Sequence, residues 1–246
     1  MYKEIMIDNV SIPFSSNWNN IAISLSGGAD SALLSYMLCD LIRQNNANIT
    51  VHIISHIRMW KTRPWQRYDN LRVFNYLKTS FPNIEFKRHE NFIAPDLEWG
   101  NSGPILIDEY GSQTSGDITE IRSFAEYVCY HNDVDAYFNA VTRNPRNVDF
   151  KGMDKRDIEP TEDNQNLRIT THMNKLACHP FRFIEKSWVI KQYKNMEIND
   201  LFNITRSCEG EFENLDYTTY KEGMEIPICG KCFWCKEREW AVDQNK

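Results

Sequence analysis

Two rhythms alternate along the chain: short, nearly continuous apolar runs, and longer stretches whose apolar residues recur every three or four positions. Residues 21–25, IAISL, form the first run, and residues 31–44 follow with Leu34, Leu38, Leu41 and Ile42 at helical spacing. The polar stretch 45–48 ends that helix, and residues 50–56, TVHIISH, are β-branched and apolar enough for a second buried strand. Strand, helix and strand make a βαβ unit, which predicts parallel pairing. Helical spacing returns over 66–79, a third strand is predicted at 84–88, and a helix starts at Asp117, with Glu120 three residues on and Ile121, Phe124, Ala125 and Val128 on its apolar face. Residues 134–141, VDAYFNAV, read as another parallel strand. A short strand near 4–10 is expected to lead into a turn at Pro13, and a helix to run from 184 to about 195. Pro95, Gly100, Gly103, Pro104, Gly111 and Gly116 break any regular element over 91–116, and the charged, apolar-poor stretch within 144–175 predicts a mobile lid. The fold class is therefore α/β, a parallel sheet flanked by helices.

The junction between the first strand and its helix reads Ser26-Gly27-Gly28-Ala29-Asp30-Ser31. A strand that turns through two glycines into a helix presents backbone N–H groups and a positive helix end, the arrangement that binds phosphate. Side chains at Gly27 or Gly28 would obstruct close approach; Ser26 and Ser31 add hydroxyls, and Asp30 can cap the helix or hold Mg²⁺. An ordinary strand-to-helix turn has the same look, and the spacing is not that of a P-loop, since no lysine follows the glycines. In open α/β sheets ligands bind beyond the carboxyl ends of strands, so Asn139, Thr142, Arg143 and Asn144 are candidates for a nucleobase or a carboxylate. Arg58, Lys61, Arg63 and Arg67 can meet phosphate or carboxylate, or else form a solvated face over Trp60 and Trp65. Lys186, near a helix start, can reach phosphate or remain a surface lysine.

Composition narrows the class. The chain has 246 residues, 29.0 kDa, 41% hydrophobic and 25% charged residues, enough for one sizeable core. A net charge of −6 and a pI near 5.6 disfavour a broad nucleic-acid binder. There is no apolar run of about 18 residues and no basic-then-apolar start, so a soluble, cytoplasmic protein with no membrane contact is expected. Of seven cysteines, three lie in Cys229-Gly-Lys-Cys232-Phe-Trp-Cys235, two consecutive C-x₂-C spacings, and Cys208 is a plausible fourth ligand. Four thiolates suit a closed, structural Zn²⁺ site; an iron–sulfur cluster or a redox dithiol are the competing uses of the same residues. Cys39, Cys129 and Cys178 read as buried thiols.

SGGADS resembles the SGGxDS pyrophosphate loop of the N-type ATP pyrophosphatases, which split ATP between the α- and β-phosphates. With Asn139-Ala140-Val141, His179-Pro180-Phe181, Lys186, Thr205-Arg206-Ser207-Cys208 and the Cys229–Cys232–Cys235 knuckle, the chain is similar in order and spacing to the 7-cyano-7-deazaguanine synthase family. That resemblance implies a Rossmann-like, adenine nucleotide alpha hydrolase-like domain over 1–178 and a helical region over 179–246 with a small zinc-binding subdomain. It also implies ATP, Mg²⁺ and structural Zn²⁺ as cofactors, commonly a homodimer, and conversion of 7-carboxy-7-deazaguanine with ammonia to the amide and then the nitrile. By the same resemblance Ser26, Gly27, Gly28, Asp30 and Ser31 hold pyrophosphate and Mg²⁺, Lys186 and Asp30 are catalytic, and His56, Asn139 and Arg143 meet nucleotide or substrate. Cys208, Cys229, Cys232 and Cys235 hold the metal. The chain departs from the family at His56-Ile-Arg-Met-Trp60, where the family has a Tyr-Gly-Gln-Arg-His-like segment, and at Arg143-Asn-Pro-Arg-Asn147, where it has Tyr-Pro-Asp-Cys-Arg. These segments choose the substrate, so a protein carboxylate, a tRNA base or ATP binding without turnover stay open.

Overall fold

A computed structural model describes residues 2–59, 65–94, 97, 106–107, 113–114, 116–150, 167–169, 175–210 and 228–246. A hairpin of β1 (Lys3–Ile7) and β2 (Val10–Phe14) comes first. The reversal falls at Asp8, which takes a left-handed φ of 51°, and not at Pro13, which lies within β2 opposite Glu4. A two-residue hairpin selects positive φ, which Asp tolerates, and proline is admitted in a strand whose N–H need not be paired.

The main sheet has the order β5-β4-β3-β8-β10-β9, formed by β3 (Asn20–Ser24), β4 (Thr50–Arg58), β5 (Phe86–Ile93), β8 (Ala136–Phe138), β9 (Leu167–Ile169) and β10 (Leu176–Cys178). Every neighbouring pair is parallel except β9 on β10. A separate two-stranded antiparallel pair joins β6 (Leu106–Ile107) to β7 (Gln113–Thr114). The helices are α1 (Ala29–Gln44), α2 (Gln66–Ser80), α3 (Gly116–His131), α4 (Lys186–Asn195), α5 (Asn199–Ile204) and α6 (Phe233–Asp243).

Alternation along β4 assigns the two faces of the sheet. Val51 and Ile53 enter the larger core with Leu33, Leu34, Met37 and Leu38 of α1, Val73 and Leu77 of α2, and Val189 and Tyr193 of α4; Ile54 points the other way, onto Ala125, Val128 and Cys129 of α3. That larger core runs on through Cys178, Phe181 and Leu201, so the C-terminal helices share it with the sheet.

Other elements also differ from expectation. β5 extends to Ile93, beyond 88, because all eight residues pair with β4 and its charges are matched, Arg88 to Glu90 at 2.6 Å among them. β8 stops at Phe138, and Asn139 leaves the ladder with its N–H on the Cys178 carbonyl at 3.0 Å. β10 is a parallel strand of only three residues, too short for a period to reveal. Asp117 lies inside the first turn of α3, where Arg58 Nε donates to its Oδ2 at 2.9 Å. Most of the expected lid, 151–166 and 170–174, lies outside the described residues, as do Trp60, Lys61 and Arg63.

Strand order reverses at β3: β4 and β5 build to one side, β8 and β10 to the other. The carboxyl ends of β3 and β8 therefore open a crevice at the switch point.

Candidate nucleotide site and cysteine centre

The glycine turn occupies that crevice, and each glycine has its own reason. Gly27 has φ +82°, and a methyl built on it would stand 2.7 Å from the backbone N of Asn70 and 2.8 Å from Asp69. The first turns of α2 are thus packed directly on the loop. Asn70 locks them there, donating from Nδ2 to the Leu25 carbonyl and to Ser55 Oγ. On another side the Arg206 N–H donates to the Gly27 carbonyl at 2.9 Å. A methyl at Gly28 would meet Ser26 Oγ at 3.3 Å, Ser207 Oγ at 3.4 Å and the Arg206 carbonyl at 3.5 Å, all at or beyond tight contact. Gly27→Ala should therefore lower stability by more than the roughly 1–2 kcal/mol of a left-handed residue, because α2 must also retreat. Gly28→Ala should cost less. Denaturant midpoints of the two variants check this, and equal midpoints would sink the packing argument.

Ser31 Oγ accepts the Ser26 N–H at 3.1 Å and lies 3.2 Å from the Gly28 carbonyl, so the serines brace the turn as α1 begins. The N-terminus of α1 then faces a cavity of about 370 Å³ lined by Ser26, Gly28, Asp30 and Ser31 from the loop, His56 and Arg58 from β4, Asn139 after β8, and Lys186 from α4. Gly27 supports the turn from behind, against α2. Arg143 is placed differently from expectation: it is not among the cavity-lining residues. Its strand-like bridge to Glu185, the Arg143 N–H on the Ile184 carbonyl at 2.9 Å, turns it to Glu185 Oε1 at 3.4 Å. Arg67 likewise pairs with Glu90 at 3.0 Å, outside the cavity lining.

At the cavity's charged end Lys186 Nζ lies 3.1 Å from Asp30 Oδ2 and 2.8 Å from Glu237 Oε2, and Thr142 Oγ1 donates to Asp30 Oδ2 at 3.3 Å. The side chains of Lys186 and Glu237 are 2% and 0% exposed, so this is an interior ion cluster and not a surface pair. Tyr193, from α4, donates its hydroxyl to the Ala29 carbonyl at 2.7 Å and fixes the start of α1 against α4. Glu237 was not among the sequence candidates. Its signal was available: Phe233, Glu237 and Ala241, four apart, share the buried face of α6, and an acid on an apolar face demands a cation.

His56 stacks edge-on with Phe124 at 6.0 Å, and both ring nitrogens are buried without a hydrogen-bond partner among the described residues. Burial, helped by Arg58, pushes its pKa down to about 4, so at neutral pH the ring offers the cavity one donor and one acceptor. His52, stacked on His89, is likewise pushed down to about 4 by burial. An unfolded histidine titrates near 6.5, so the stability these neutral rings allow is complete above that pH and lost as pH falls towards 4, where the folded rings protonate. Asp69 works the other way: burial raises it to about 6, so acid returns part of that stability. His56→Asn should flatten the fall in unfolding free energy between pH 6 and 4.5 by about 1 kcal/mol per pH unit, most of one proton's worth. Denaturant titrations across that range measure the slope, and an unchanged slope would exclude a neutral buried His56.

Cys208, Cys229, Cys232 and Cys235 bring their Sγ atoms within 4.8 Å of one another. Backbone N–H groups of Lys231 and Cys232 point at Cys229 Sγ, at 3.4 and 3.2 Å, and that of Cys229 points at Cys208 Sγ at 3.4 Å. Hydrogen bonds from Cys208 and Cys235 drive Cys232 below the ordinary thiol range and push those two thiols up in turn, so the negative charge settles on Cys232. Tetrahedral bonds of about 2.3 Å to one ion set sulfurs about 3.8 Å apart. Cys229 and Cys235 are at 3.9 Å, a fit to a single ion. A methyl on Gly210 would stand 2.5 Å from Cys229 Sγ, so closure of the knuckle needs a glycine there. A second cavity, about 540 Å³, flanks Cys208 and Cys235 and shares Arg206, Ser207 and Trp234 with the first.

Among the described residues no helix is long and apolar enough to cross a membrane. No family model matches the chain, and no curated protein matches it. Among solved structures it is similar to the U34-tRNA thiolase NcsA from Methanococcus maripaludis with its 4Fe–4S cluster, at 14% identity and a TM-score of 0.44, over 92% of this chain and 64% of that one. The chain thus spans less than two thirds of that protein's length. Its own architecture is an α/β fold, a five-stranded parallel sheet flanked by helices, with a four-cysteine centre near the C-terminus.

Proposed function

We propose that the chain is an ATP-using enzyme of the ATP pyrophosphatase type that adenylates a carboxylate, with 7-carboxy-7-deazaguanine as acceptor and ammonia as nucleophile. The observation that carries this reading is the Asp30–Lys186 pair at the mouth of a glycine turn, on the switch point of a parallel sheet. Carboxylate is a poor electrophile, so its oxygen first attacks the α-phosphorus and pyrophosphate leaves. Ammonia then displaces AMP from the acyl carbon to give the amide. A second adenylation, on the amide oxygen, lets AMP depart with loss of the nitrogen's protons to leave the nitrile. The protein's work is charge placement and positioning. Backbone N–H groups at the start of α1 and the hydroxyls of Ser26 and Ser31 hold pyrophosphate, Asp30 holds Mg²⁺, Lys186 meets the charge developing on the phosphates, and His56 and Asn139 orient the nucleoside.

The four thiols are assigned to a structural Zn²⁺. Their spacing suits one ion and is tighter than four irons of a cluster, each carrying its own thiolate, would require. Assembly as a homodimer belongs to the same reading and is checked by light scattering.

Protein, ATP, Mg²⁺, ammonium and 7-carboxy-7-deazaguanine are incubated together, following AMP, pyrophosphate and the mass of the deazapurine. AMP and pyrophosphate should appear together with a product lighter than the acid, and Asp30→Ala should abolish both. AMP release that needs tRNA in place of the acid would replace the substrate. No AMP with any acceptor would remove the adenylation reading.

A further inference from the structure

The carboxylate of Glu237 has no place in the adenylation chemistry, yet it is fully buried on a helix face otherwise formed by Phe233 and Ala241. Taking a carboxylate out of water is costly unless a cation meets it, and here the cation is Lys186, 2.8 Å away. Resting on the nucleotide-site reading, we propose that Glu237 is a positioning residue that holds Lys186 for the polyphosphate of ATP.

Among the described residues two carboxylates grip the ammonium: Asp30 from α1 at 3.1 Å and Glu237 from α6 at 2.8 Å. A third group, the Trp234 ring, lies 5.7 Å from Nζ and limits where the side chain can swing. The two carboxylates have unequal duties. Asp30 belongs to the phosphate loop and lines the cavity, so when it turns to a cation its hold on Lys186 weakens. Glu237 is not a cavity-lining residue and keeps its hold throughout. A lysine without it would fold onto Asp30, neutralising the group that should meet Mg²⁺ and withdrawing its own charge from the phosphates. Glu237 follows Cys235 by two residues, so the helix that supplies this anchor is the one the cysteine centre begins.

The role is specific to phosphate, which separates it from simple filling of space. Calorimetry of Mg·ATP and of adenosine is compared for the wild-type chain, Glu237→Ala and Glu237→Gln, with the metal content of each. Glu237→Ala should weaken Mg·ATP by about tenfold or more, the scale of one charge-assisted hydrogen bond, and leave adenosine within about twofold. Glu237→Gln keeps the volume and an acceptor oxygen but not the charge, so it should fall between, and it serves where the alanine variant fails to fold. Both variants should hold the same metal as wild type. Mg·ATP and adenosine weakening together, or neither changing, would overturn the proposal and leave the nucleotide site standing. A wild-type chain that binds neither ligand would overturn the nucleotide site itself, and this inference with it.

Discussion

Lys186→Met should cost the fold roughly 3–5 kcal/mol and remove AMP formation, the largest effect expected of any single substitution at the site. Methionine nearly matches the volume, so packing changes little; what is lost is the positive charge that the two ion pairs set between Asp30 and Glu237. Glu237 would then be a buried carboxylate without its lysine, and breaking a buried pair from one side costs far more than the pair contributed. Against a typical total of about 5–15 kcal/mol the variant should fold, with a denaturant midpoint much reduced. Lys186→Met combined with Glu237→Leu should recover much of that stability, since an apolar pair of similar shape can replace a buried ion pair, but should recover no AMP release. On the proposed reaction the charge is needed where phosphate charge develops, and a donor there is worth about a hundredfold or more in rate. A single variant with wild-type stability would mean that Lys186 is not buried between the two acids.

The parallel sheet was legible because its strands are short apolar runs separated by a helix of clear period, and the sequence alone placed β3, α1 and β4 to within a few residues. Other elements were hidden for physical reasons. β5 carries Lys87, Arg88, His89 and Glu90, and such a strand is recognisable only once ion pairs and ring stacking across to β4 and α2 neutralise it. β10 is shorter than any period. At the site, Ser26, Gly28, Asp30, Ser31, His56, Asn139 and Lys186 come together around one cavity, because strand ends and the helix start that follow them are placed by the sheet. Arg143 looked equivalent to Asn139 in sequence but belongs to a bridge with Glu185, a pairing 42 residues away that no local pattern reports. The carboxylate that grips Lys186 lies 51 residues after it, and only the buried stripe on α6 marks it.

Removing the metal, by a chelator or by Cys232→Ala, should separate the two halves of this architecture. Wild-type protein should carry about one ion per chain and the variant none; cobalt loading should give the thiolate-to-metal absorption of a tetrahedral four-sulfur site, absent in the variant. The helices and sheet around α1 have a core of their own, so far-ultraviolet circular dichroism should change little. Nucleotide binding should suffer, because two connections run from the cysteines to the phosphate loop. Cys208 lies two residues after Arg206, whose N–H holds the Gly27 carbonyl, and Cys235 lies two residues before Glu237, whose carboxylate holds Lys186. Loosening the knuckle frees both at once, and loss of that hydrogen bond together with that ion pair should weaken Mg·ATP by about tenfold or more. Coupling of this kind is reciprocal: if the ion tightens ATP by some factor, saturating ATP must tighten the ion by the same factor. Chelator titrations with and without Mg·ATP analogue measure it. Equal metal affinity in the two titrations would show that the cysteine centre holds only its own segment, and that the phosphate loop keeps its shape from α2 and Asn70 alone.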